Sequence, residues 1–172
     1  MKNKKIPSVR ELTRYSLLAS LTGLLQVSAA LFPGPGNMLS FFSTLPIAMA
    51  AFMNPWGGIA CAIISGWLTL TIRPIGLPAF ALVTAPLGLV IGIGLHYSLK
   101  TPVILIMGTA ILTLGQLCIT YVLGFPAFGY SLENGTIFKV LPFYALFALV
   151  YNYSWFRFIR KLMYRFKRYI NI

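Results

Sequence analysis

A chain of 172 residues that is 58% hydrophobic and 9% charged belongs to the membrane class rather than to water-soluble cores. Its net charge of +12 would suggest nucleic acid in a soluble protein, but the placement of the charge argues otherwise. Lys2, Lys4, Lys5, Arg10 and Arg14 precede or open the first apolar run, and Arg157, Arg160, Lys161, Arg165, Lys167 and Arg168 follow the last. Basic residues at both ends of an apolar body read as cytoplasmic anchors against anionic lipid.

The predicted fold is an all-α integral membrane protein, a single domain over residues 1–172 with a basic start (1–11) and a basic tail (159–172). Segment one runs from about Leu12 to Phe32 and stops at Pro33-Gly34-Pro35-Gly36. From Asn37 to Ile72 two apolar runs meet at Asn54-Pro55-Trp56-Gly57-Gly58, whose residues suit a tight turn. Both runs are slightly short for a span of about 20 residues, yet so apolar a hairpin must satisfy its backbone as helix in lipid. Arg73-Pro74-Ile75-Gly76 breaks the chain before segment four, about Leu77 to Leu99. Segment five covers about Val103 to Phe125, and segment six about Val140 to Phe158 after the long loop from Pro126 to Thr136.

Six spans put both termini on one side. Twelve of the fourteen lysines and arginines, Lys100 among them, then fall on that side against Arg73 and Lys139 on the other. The positive-inside bias places the termini in the cytoplasm; the expected location is a bacterial-type plasma membrane.

Catalytic chemistry is not indicated. Glu11 and Glu133, the two acids, lie on opposite sides of the predicted membrane, and His96 sits at an interface where snorkelling is the better reading. Cys61 and Cys118 read as small buried hydrophobes, with no metal spacing and no phosphate-binding glycine loop.

Small residues form stripes at helical spacing: Ser16, Ala19, Ser20 and Gly23 on segment one, Gly58, Ala62, Ser65, Gly66 and Thr69 on segment three, Ala81, Ala85, Gly88, Gly92 and His96 on segment four. Such stripes let membrane helices approach closely, and for segments three and four packing within the chain is the favoured reading. Polar residues gather in the outer half: Thr109, Thr113, Gln116 and Thr120 on one face of segment five, with Trp67, Arg73, Tyr121 and Lys139 at a similar level. Polar groups at membrane depth face protein or a cavity, so the cluster predicts a ligand pocket lined by Trp67, Arg73, Gln116, Tyr121 and Lys139.

The chain resembles the substrate-binding S component of an energy-coupling factor (ECF) transporter. The likeness rests on Ser16-Leu-Leu-Ala19-Ser20-Leu-Thr-Gly23, similar to the family's alanine-rich docking pattern, and on Phe42-Ser-Thr-Leu-Pro46-Ile-Ala-Met-Ala50 followed by Asn54-Pro-Trp-Gly-Gly58, similar to its second hairpin. Asn134-Gly-Thr-Ile-Phe-Lys139 resembles the opening of its sixth helix, without the acidic residue that often precedes the lysine. The resemblance implies a binder of a vitamin or vitamin precursor, without a cofactor of its own. Its implied partners are a transmembrane coupling subunit, contacted through Ser16, Ala19, Ser20 and Gly23, and two cytoplasmic ATPase subunits that hydrolyse ATP. The mostly apolar, aromatic-rich spans favour a small, flat, weakly charged heteroaromatic ligand such as a pyrimidine, pyridoxine-like or flavin compound. The alternative is a six-span scaffold similar to the rod-shape determining membrane protein D family.

Overall fold

The computed structural model describes residues 8–31, 42–72, 74–124 and 137–170, the side chains of 29–31, 137–140 and 166–170 excepted. Regular structure among the described residues is helical throughout: α1 (Val9–Leu31), α2 (Thr44–Met53), α3 (Pro55–Ile72), α4 (Pro74–His96), α5 (Thr101–Val122) and α6 (Ile137–Ile170). With 18, 23 and 22 residues, α3, α4 and α5 are long and apolar enough to cross a membrane. The ten residues of α2 reach about 15 Å, half of a hydrocarbon core of about 30 Å.

The starts of α1 and α3 have local causes. A capping box opens α1: the Glu11 carboxylate accepts from the Ser8 backbone N–H at 2.8 Å, and Ser8 Oγ accepts from the Glu11 N–H at 3.3 Å. Between α2 and α3 only Asn54 leaves helical geometry, at φ −155° and ψ 124°. Its Oδ1 accepts from the Trp56 N–H at 3.0 Å while Pro55 takes the first helical position, where a missing N–H costs nothing. The predicted five-residue turn is therefore one residue long. Gly57 and Gly58 are helical and serve close approach instead, against the Tyr15 ring and the backbone of Ala51. Pro74–Gly76, read as a break, is a 3₁₀ turn leading directly into Leu77.

At its far end α4 closes with the Leu99 N–H on Gly94 O (2.8 Å) and the Ser98 N–H on Leu95 O (3.2 Å), with Ser98 left-handed at φ 54°. This is a Schellman closure with serine where glycine is usual. His96 Nδ1 lies 2.7 Å from Phe52 O, so the imidazole ties the last turn of α4 to the last turn of α2.

Contacts fix the helix directions. Tyr15 meets Gly57, Ser65 Oγ donates to Ala19 O (3.3 Å) and Gly23 abuts Leu68, so α1 and α3 run parallel. Thr44 meets Gly88, Ala48 meets Gly92 and Phe52 meets His96, so α2 and α4 are parallel too. Gln26 Nε2 donates to Ser43 Oγ at 2.7 Å, joining the end of α1 to the start of α2. Gly94 sits on Ile104 and Gly115 on Leu82, and Asn152 Nδ2 donates to Leu105 O at 2.8 Å, so α4, α5 and α6 alternate. All six therefore alternate in direction. Every charged side chain described, from Arg10, Glu11 and Arg14 through Lys100 to Arg157, Arg160, Lys161 and Arg165, lies at one end of the bundle.

Two apolar clusters fill the interior, one around Leu87, Ile91, Ile104, Phe156 and Ile159, the other around Tyr15, Ala19, Ile47, Cys61 and Phe80. Of the stretch from 159 onward, read from the sequence as a tail, residues 159–170 continue α6 without a break. Ile159 and Met163 are buried in the first cluster, which holds this basic stretch against the body.

Candidate functional site

A helical serine or threonine ordinarily satisfies its hydroxyl on the carbonyl four residues back. Thr22, Ser65 and Thr69 do so here on Leu18, Cys61 and Ser65, at 2.7–2.8 Å. On α5, Thr113 and Thr120 depart from that habit. Both are buried, and neither hydroxyl has a hydrogen-bond partner among the described residues. Half-buried Gln116 lies between them, three residues from one and four from the other, on the same face. The fourth member of the predicted polar face, Thr109, is already engaged, accepting from Asn152 Nδ2 at 3.4 Å.

The backbone is irregular at the same level. Phe80–Thr84 of α4 and Cys118–Val122 of α5 are both π-type turns, a widening that recurs at functional sites. They lie close because Gly115 lets α5 onto the Leu82 carbonyl and the Val83 side chain. Thr113, Gln116, Thr120 and half-buried Tyr121 thus occupy the half of α5 away from the charged end, beside a widened α4.

Gln116 and Tyr121 therefore share one segment. Trp67 does not join them: it is 68% exposed on α3, beside Ile63, Gly66, Leu70 and Leu77, and α3 packs on α1, α2 and α4 rather than on α5. Arg73 and the Lys139 side chain lie outside the described residues, as does the loop from Pro126 to Thr136.

The docking set divides. Ala19 is 1% exposed and Gly23 is buried against Leu68, both turned to the chain's own α3. Ser16 and Ser20 stay exposed, along with Leu17, Leu21 and Leu24. A partner helix can reach the serine–leucine face, but not the alanine–glycine face. Gly88, Gly92, Gly58 and Ser65 pack within the chain, against α2 and α1.

Sequence reasoning missed Asn152, fully buried and hydrogen-bonded across to α5, although a lone asparagine in an apolar run was the available signal. The π-type turns leave no such mark. Comparison of the chain with protein-family models, with curated proteins and with solved structures finds no match.

Proposed function

We propose that the protein is a multi-pass plasma-membrane subunit that binds a small, weakly charged heteroaromatic ligand from outside. In this reading it delivers the ligand as the S component of an ECF-type transporter does, with a membrane coupling subunit and two ATPases as partners. All six helices cross or enter the membrane, and the charged end of the bundle faces the cytoplasm. The observation that carries the binding role is the pair of buried, unpartnered hydroxyls of Thr113 and Thr120 flanking Gln116. An unsatisfied polar group at membrane depth is costly, and two on one face beside paired π-type turns are accounted for by a ligand that bonds them. Arg73 and Lys139 are further contacts in this reading. Trp67, turned away from α5, is not.

The test is equilibrium binding by the full chain in lipid nanodiscs, without ATP or partners, to a panel of pyrimidine, pyridoxine-like and flavin compounds. Thr113→Val and Gln116→Leu each weaken binding about tenfold, the worth of one hydrogen bond lost in a dry site. Thr113→Val keeps the shape of the side chain, so its melting temperature stays near that of the parent. Absence of binding across the panel, with no ATPase copurifying from the native membrane, would favour the scaffold reading.

A further inference from the structure

A cleft of about 740 Å³ lies at the charged end, between the start of α5 and the second half of α6. Its walls carry Arg157, Arg160, Lys161 and Arg165, all within nine residues of one helix. Like charges at such spacing repel one another. The one carboxylate among the described residues, Glu11, is occupied in the cap of α1. Two of the guanidinium groups are nevertheless held in place. Arg157 lies over the Tyr153 ring at 5.7 Å, and Arg160 lies over Phe156 at 6.0 Å and Tyr164 at 5.6 Å while donating to Thr101 Oγ1 at 3.4 Å. Fixed, uncompensated guanidinium groups match the oxygens of a phosphate. The amino end of α5 adds little of its own, since Pro102 has no N–H and that of Val103 bonds Lys100 O.

An apolar track leads out of the cleft. Leu146, Leu149, Val150 and Tyr153 share the α6 face of Arg157 and Arg160, and all four are exposed, Leu146 to 62%. A soluble phosphate has no use for such a surface, whereas an acyl chain does.

We infer that this cleft binds the phosphate headgroup of an anionic phospholipid, with Arg157 and Arg160 on the phosphate and an acyl chain along Leu146, Leu149 and Val150. The site needs only an embedded bundle and is independent of the carrier reading. It converts a repulsive row of cations into a paired one, so the lipid is a structural ligand rather than part of a diffuse counter-charge.

Native mass spectrometry of the full chain, released from detergent with dioleoyl phosphatidylglycerol or dioleoyl phosphatidylcholine, reads the site directly. Phosphatidylglycerol is retained at least about tenfold better, and Arg157→Gln with Arg160→Gln removes that preference. Arg10→Gln with Arg14→Gln takes away the same charge at the same end and leaves the preference intact. Leu146→Ser lowers retention of the dioleoyl lipid but not of its dihexanoyl analogue, while the cleft cations are untouched. Equal loss from both arginine pairs would show a diffuse surface field and overturn the site. Displacement of the lipid by millimolar inorganic phosphate would make the ligand a free phosphate and overturn the lipid assignment. Unchanged retention in the cleft variant would overturn both.

Discussion

At Gly92 an added β-carbon would meet the carbonyl oxygen of Ala48 and the side chain of Ala51, with backbone on one side and nothing flexible to yield. At Gly66 the same carbon would find only the Phe80 ring, at an ordinary 3.6 Å. Two glycines alike in the sequence thus have opposite expectations. Gly92→Ala lowers stability by about 1–3 kcal/mol through overpacking. Gly66→Ala is neutral or raises stability by up to about 1 kcal/mol, because alanine is the better helix former. Thermal unfolding of both variants in one detergent checks the contrast, and a matched change would remove the α2–α4 seam as a tight contact. The small-residue stripes were legible as stripes, but which member meets backbone depends on helix rotation, and spacing alone does not fix that. Glu11 shows a signal present yet unread: Ser8-Val-Arg-Glu11 is a capping sequence, hidden by the basic residues around it.

Whole helices sort their surfaces in the same way. On α1 the alanine and glycine face α3, while Ser16 and Ser20 with Leu17, Leu21 and Leu24 form the exposed side. If this side docks on a coupling subunit, Ser20→Trp keeps the melting temperature and ligand affinity but abolishes partner copurification and ATP-driven uptake. Ala19→Trp has no space inside the chain and loses folding along with binding. The paired readouts are melting temperature of the purified protein and uptake in cells supplying the partners. Normal uptake by the Ser20 variant would sink the docking face. The end of α3 and the junction between α4 and α5 were legible because proline, glycine and charge punctuate them, whereas the starts of α3 and α4 were read as turns. The reach of α6 was not, because its cations suggested a solvated tail. The buried set Asn152, Phe156, Ile159 and Met163 nonetheless recurs at spacings of four, three and four, a helix-face pattern continuing past the apolar run.

Across the bundle, the alternating helix directions bring every described charge to one end, and that end is the cytoplasmic one in the proposed orientation. In a variant with Cys61 and Cys118 replaced, a cysteine at Ser98 or Lys161 is expected to resist an impermeant thiol reagent in intact cells, and one at Gly124 to react. Labelling at Lys161 from outside would reverse the orientation. Hydropathy made the helical class legible and the charge pattern predicted the sidedness. The candidate site was only half legible. Thr113, Gln116 and Thr120 declare themselves by spacing on one helix, whereas the exposure of Trp67 on the surface of α3 comes from how three helices pack, which no local pattern encodes.

The length of α6 has a mechanical consequence. Thirty-four residues make a rod of about 51 Å, well beyond the roughly 30 Å of hydrocarbon, and burial of Ile159 and Met163 clamps its projecting part to the body. The rod and the bundle consequently turn as one piece. A tilt of about 20°, common for membrane helices, would swing the free end sideways by about 17 Å relative to the other end. Because the clamp passes through α4 and α5, a small reorientation within the lipid would, in the proposed orientation, become a large displacement at the aqueous surface. On that reading α6 would be a lever whose fulcrum lies inside the membrane.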